Sequence, residues 1–138
     1  MKRLAIFGSG NGSNAENICN YFLSSSDVKV VFICTNKKNA FIVKRAEKLK
    51  IHVIYTDKKH LSHFSGVQKI LKKYNIDYII LAGFLLKIPF NIVNSYKRKI
   101  INIHPSLLPK YGGKGMYGTN VHKAVLKNKE IESGITIH

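Results

Sequence analysis

Short, strongly apolar runs alternate along this chain with segments of helical periodicity, and that rhythm limits its folds more than any other feature. Leu4 to Phe7, Val28 to Thr35 (VKVVFICT), Ile51 to Tyr55, Asp77 to Ala82 (DYIILA) and Ile100 to Ile103 are β-branched or almost continuously hydrophobic. Strands covered on both faces look like this. Between them, Asn14 to Leu23 spaces Ile18, Tyr21 and Phe22 at helical intervals, and Ala40 to Leu49 does so with Ile42, Val43, Ala46 and Leu49. Phe64 to Lys73 forms a weaker helical pattern through Val67, Ile70 and Leu71, and Asn120 to Lys127 a further one. Pro89 opens a short helical turn through Val93, and Ser133 to His138 (SGITIH) starts a sixth strand. The alternation predicts an α/β fold: a doubly wound, mostly parallel sheet with helices on both faces. Ligands of such folds sit at the carboxyl ends of the strands, so function belongs in the loops that follow them.

At 138 residues the chain has room for one core, and a single domain over residues 1–138 is expected. Cys19 and Cys34 are its two cysteines, without Cys-x-x-Cys or Cys/His ligand spacing, which excludes a disulfide framework and structural zinc. The charge of +16, from 23 basic against 7 acidic residues, raises the question of a polyanionic partner. Only Arg3, Arg45 and Arg98 are arginines, and the lysines are spread along the chain, whereas phosphate-reading surfaces favour clustered arginine forks. The balance reads as a lysine-rich solvated surface with no specific nucleic-acid partner. The apolar run after Met1 is too short for a signal-peptide core or a membrane span, so a cytoplasmic protein without membrane contact is expected.

Three loops carry candidate chemistry. The first, Gly8-Ser9-Gly10-Asn11-Gly12-Ser13-Asn14, joins a strand to a helix. It differs from the dinucleotide fingerprint, because Gly12 falls one place early and Thr35 and Asn36 stand where a ribose-binding acid belongs. Two readings remain: an anion seat at the helix start, or a plain glycine turn capped by Ser13 or Asn14. The density of glycines and small polar side chains favours the first. The second loop, Leu81 to Pro89, stays apolar beyond Gly83 and lines either the core or a flat aromatic ligand; the residues alone favour the core.

The third begins Asn102-Ile103-His104-Pro105-Ser106-Leu107-Leu108-Pro109. Strand alternation puts Asn102 and His104 on one face at the strand's end, and Pro105 keeps His104 extended. An amide that can donate to a developing oxyanion, beside an imidazole that can move a proton, suits acyl transfer. A strand-end histidine is equally at home as a structural group. His52, His60, His63 and His122 lack acidic or cysteine partners at ligand spacing and read as solvated or packed, so no metal site is expected. Gly112 to Gly118 reads as a long turn in preference to a mobile lid.

Ser9-Gly10-Asn11-Gly12-Ser13-Asn14, Leu81-Ala82-Gly83-Phe84 and the Asn102 to Pro109 motif stand in the order and spacing of the folate-dependent formyltransferases. The glycine loop resembles that of their phosphoribosylglycinamide formyltransferase branch, and the resemblance runs along the whole chain. It implies the Rossmann-like formyltransferase fold. It also implies direct transfer of a formyl group from 10-formyltetrahydrofolate, as co-substrate, to the amine of 5-phosphoribosylglycinamide in purine biosynthesis, with no metal. By the same resemblance Gly12, Ser13 and Asn14 would hold the phosphate, and Leu85, Leu86, Lys87 and Ile88 would line the folate pocket together with Asn102. Asn102 would polarise the formyl oxygen and His104 would be the general acid. The two small molecules would be its partners, with the protein a monomer or homodimer.

One departure stands out. The family's catalytic aspartate, its last strands and its C-terminal helix lie beyond the position matching His138, where this sequence stops. The 138-residue form is therefore expected to be at least about a hundredfold slower than a longer one. His138 is expected to border the cleft without a catalytic role. Three alternatives stand beside this reading. A methionyl-tRNA formyltransferase catalytic domain would suit the charge of +16, although the first loop is built for a small phosphate. A formyltetrahydrofolate hydrolase would carry an extra N-terminal domain ahead of the first strand. A non-catalytic truncated remnant would bind nucleic acid with steep salt dependence and no folate affinity.

Overall fold

The computed structural model describes all residues, Met1–His138. Its strands are β1 (Lys2–Phe7), β2 (Val28–Thr35), β3 (His52–Tyr55), β4 (Tyr78–Leu81), β5 (Ile100–His104) and β6 (Thr136–Ile137). They form one sheet in the order β3-β2-β1-β4-β5-β6. The first five run parallel, and β6 pairs antiparallel with β5, setting Ile103 opposite Ile137 and His104 opposite Thr136. The helices are α1 (Ser13–Tyr21), α2 (Phe41–Lys48), α3 (Lys58–Ser62), α4 (Val67–Lys73), α5 (Phe90–Ser95) and α6 (Thr119–Lys127).

Strand alternation divides the interior into two cores. Ala5, Phe7, Phe32, Cys34 and Ile79 meet Leu61, Val67, Leu71 and Ile92 of α3, α4 and α5 on one face. Ile6, Ile33 and Ile80 meet Ala15 and Cys19 of α1, and Ile42, Val43 and Ala46 of α2, on the other. Successive residues of a strand point to opposite faces, so an unbroken apolar run serves both cores. Phe7, Phe32, Ile6, Ile33 and Ile42 are fully buried, each worth about 1.5–3 kcal/mol relative to exposure. No helix is long and apolar enough to cross a membrane.

Two helical expectations need correction. The helix anticipated from Phe64 begins only at Val67, and Phe64 itself is exposed. A Cβ on Gly66 would sit 1.9 Å from the His60 carbonyl oxygen, so the chain turns tightly against the preceding segment before it can coil. That segment is α3, absent from the sequence reading. Asp57 caps it by accepting the His60 N–H at 2.6 Å, and its five residues bury only Leu61. One buried side chain leaves no periodicity to read.

Both thiols face these cores. Burial pushes Cys34 up to about 12, and burial together with the Glu16 charge pushes Cys19 up to about 11. The thiolate is the reactive form, so both cysteines are expected to resist iodoacetamide at neutral pH and to react on unfolding in urea. Mass spectrometry of the native protein checks this; prompt alkylation of either residue would contradict the burial.

Candidate active site

From β1 the chain steps outward to β2 and β3, then returns to β1's other side for β4 and β5. Crossovers therefore leave β1 and β4 in opposite directions, opening a crevice at their carboxyl ends. A cleft of about 640 Å³ lies there, within the range of small-ligand sites. Its walls are the loop after β1, the loop after β4, the tip of β5 and the segment entering α6.

The glycine loop forms one wall. Gly12 adopts the left-handed conformation (φ 79°) and begins α1, with no side-chain cap. The capping alternative for Ser13 and Asn14 is thereby corrected: both lie inside the helix, and the N–H groups of Ser13, Asn14 and Ala15 keep no protein acceptor. Ser13 and Asn14 line the cleft, so free donors and the positive end of the helix dipole lie at its wall. A Cβ at Gly12 would lie 2.6–2.8 Å from Ile42, including its backbone Cα. Gly12→Ala is expected to cost about 2–4 kcal/mol, from left-handed strain plus overpacking, and to weaken anion binding. Urea unfolding reads the first and phosphate titration the second; an unchanged midpoint would contradict both the backbone strain and the close contact with Ile42.

Ser9 ties the loops together. Its side chain is buried, donates to Asn36 Oδ1 and accepts the Leu85 N–H at 2.9 Å, while its own N–H donates to the Gly83 carbonyl at 3.0 Å. One hydroxyl thus joins the loops after β1, β2 and β4. The apolar second loop splits: Leu86 and Ile88 pack on the core, Phe84 packs there and also borders the cleft beside Gly83 and Leu85, and Lys87 is exposed. Of the four residues from Leu85 to Ile88, only Leu85 lines the cavity.

Asn102 and His104 both line the cleft from the tip of β5. His104 Nε2 lies 2.8 Å from the Tyr111 carbonyl oxygen. A carbonyl only accepts, so Nε2 carries the hydrogen and Nδ1 is left free to exchange a proton with a ligand. Asn102 Nδ2 donates to His138 Nε2 at 2.8 Å, and the two backbones pair at 2.7 and 3.0 Å. Its second amide hydrogen stays free.

The motif's remaining polar groups hold the loop rather than face the cleft. Ser106 is buried and donates to the Lys110 carbonyl, while Thr136 Oγ1 accepts the Leu108 N–H and donates to the Ser106 carbonyl. Tyr111 donates its phenol to Glu130 at 2.8 Å, and Lys110 pairs with the same carboxylate at 3.1 Å. The Tyr111 hydrogen bond, then Lys110, hold Glu130 below the usual carboxylate range; the same bond raises the Tyr111 phenol.

Lys37, Met116, Tyr117, Thr119 and His122 also line the cleft, and the sequence reading missed them. The sequence alone places His122 in solvent or in packing. It is exposed, yet α6 returns across the β5 tip and presents it to the cavity. Nothing local marks such a residue: only the Gly112 to Gly118 turn hints that the chain doubles back. Lys37 is the one fully charged side chain among the lining residues. With the α1 terminus it biases the cleft toward an anionic ligand.

The family pattern described as formyl transferase matches residues 2–138. Chloroplastic phosphoribosylglycinamide formyltransferases of Arabidopsis thaliana and Vigna unguiculata are 41% and 42% identical to this chain. Each alignment covers 99% of this chain and 49% or 46% of the relative, so the chain spans about half the length of those proteins. Among solved structures, the phosphoribosylglycinamide formyltransferase from Anaplasma phagocytophilum superposes with a TM-score of 0.85 at 31% identity, covering 99% of this chain and 63% of that one. The Bacillus halodurans protein of the same name gives 0.83 at 32% identity, covering 99% and 71%. With the pattern running from residue 2 to the last residue and the fold shared at this level, the chain belongs to the formyl transferase family.

Proposed function

We propose that this chain transfers a formyl group from 10-formyltetrahydrofolate to the primary amine of 5-phosphoribosylglycinamide. The observation that carries the reading is one cleft that combines an anion-ready helix start with an amide and an imidazole from a single strand tip. Gly12, Ser13 and Asn14 bind the phosphate through backbone N–H groups. Leu85 contacts the folate with its side chain, and Leu86, Lys87 and Ile88 contribute through their backbone. The amine attacks the formyl carbon, the carbonyl electron pair moves onto oxygen, and the free amide hydrogen of Asn102 meets the oxyanion. His104 supplies a proton from Nδ1 to the departing folate nitrogen, and the attacking amine gives up one in return. Between two bound reactants, positioning with one donor and one proton carrier suffices, and no metal is required. The names of the relatives favour this acceptor over a tRNA.

A spectrophotometric assay of folate deformylation tests the reading, with phosphoribosylglycinamide, methionyl-tRNA or water as acceptor and with or without chelator. Turnover is expected with the first acceptor alone and unchanged by chelator. Absence of turnover, together with absence of binding for both substrates by calorimetry, would overturn it.

A further inference from the structure

The glycine loop is braced from behind by Arg45 of α2. Its Nε–H donates to the Asn11 carbonyl at 3.0 Å and an Nη2 hydrogen to Asn11 Oδ1 at 2.9 Å, while Nη1 pairs with Glu16. The guanidinium also lies over the Phe41 ring, 4.9 Å from its centroid. Only 22% of the Arg45 and 20% of the Glu16 side-chain surface is exposed, so both charges are largely withdrawn from water and weakly screened.

The sign of Glu16 matters here. It sits in the first turn of α1, whose Ser13 and Asn14 line the cleft. A carboxylate there favours the isolated helix, but it opposes any second anion brought to the same terminus. Arg45 removes that conflict and, with the other edge of its fork, fixes Asn11 at the apex of the loop. Residue 45 touches neither reacting group and does not line the cleft.

We propose that Arg45 is a positioning residue for the phosphate seat with two separable tasks: its fork sets the Asn11 peptide, and its charge cancels Glu16 so that the start of α1 attracts a phosphorylated substrate. This rests on the assignment of the cleft to phosphoribosylglycinamide. The two tasks order the variants. Arg45→Ala loses both and leaves Glu16 uncompensated. Arg45→Ala with Glu16→Gln loses the fork but restores the charge balance. Glu16→Gln alone keeps the fork and gains a net positive charge. A residue that merely holds the fold gives a different order, with the double variant at least as impaired as Arg45→Ala.

Calorimetric binding of phosphoribosylglycinamide and of inorganic phosphate, with a folate analogue as reference ligand, separates these orders. Arg45→Ala is expected to weaken both phosphate ligands about tenfold, the double variant to recover to within about threefold of the parent, and Glu16→Gln to bind at least as tightly as the parent. Folate-analogue affinity is expected to stay constant throughout. A double variant as weak as Arg45→Ala, or a parallel loss of folate affinity, would overturn the proposal. Should Arg45→Ala fail to fold, Glu16→Gln and Arg45→Lys decide: weaker phosphate binding by Glu16→Gln, or a loss beyond about threefold in the charge-retaining Arg45→Lys, overturns it. If the parent binds the folate analogue but neither phosphate ligand, the substrate assignment itself falls and takes this proposal with it; failure of the variant order alone leaves that assignment standing.

Discussion

Under the proposed reaction, replacing His104 with alanine is expected to lower the rate of formyl transfer by about 10² to 10⁴-fold, the usual contribution of a positioned acid–base group. The loss should fall on the chemical step. His104 contacts the Tyr111 carbonyl through Nε2, which leaves Nδ1 to carry the proton. The proposed phosphate seat at the start of α1 lies on another wall of the cleft, so substrate affinities should stay within a few-fold. His104→Gln sharpens the test, because its side-chain N–H could still donate to Tyr111 while having no proton to give at neutral pH. Both variants should be equally slow in single-turnover measurements. Activity retained by His104→Gln would show that the imidazole only props the loop, with proton transfer lying elsewhere.

Asn102→Ala is expected to slow transfer by about 10² to 10³-fold, the cost of removing one donor to a developing oxyanion. Asn102→Asp is nearly isosteric yet replaces the donor with a negative charge, so it should be at least as slow. Stability should change little in either case. The side-chain bond to His138 is exposed, and the two backbone bonds that pair Asn102 with His138 remain. A melting curve close to the parent's, combined with a large fall in kcat, is the expected pair of results. A fall in melting temperature proportionate to the loss of activity would instead make Asn102 a structural residue of the β5–β6 pair.

Much of the architecture is legible in individual segments. Phe32 to Cys34 and Ile79 to Ile80 are buried on both faces where the apolar run is unbroken, and alternate residues there serve the two cores, while Lys29 near the start of the first run stays exposed. The helical face of α2 is read correctly for the same reason, with Ile42, Val43 and Ala46 recurring on one side and buried; in α6 Val121 and Val125 are buried, but Leu126, expected in the same apolar set, is 77% exposed. Errors fall where the signal is too short or comes from elsewhere. α3 buries one side chain, and the start of α4 is set by contact between Gly66 and His60 rather than by its own residues. In the second loop, composition could not separate Leu86 and Ile88, which pack on the core, from Phe84 and Leu85, which border the cleft.

By itself the sequence determined the α/β alternation, the loops able to carry chemistry, and the pairing of Asn102 with His104 on one strand face. Each follows from preferences acting over a few residues: backbone freedom at glycine, the period of two in a strand, the restriction proline places on its predecessor. Tertiary structure alone decided the strand order that opens the crevice between β1 and β4, the reach of Ser9 to Leu85 across 76 positions and of Arg45 to Asn11 across 34, and the arrival of Lys37 and His122 at the cavity. Those contacts arise when helices pack both faces of a twisted sheet, and packing acts on what is adjacent in space, which no window of neighbouring residues encodes.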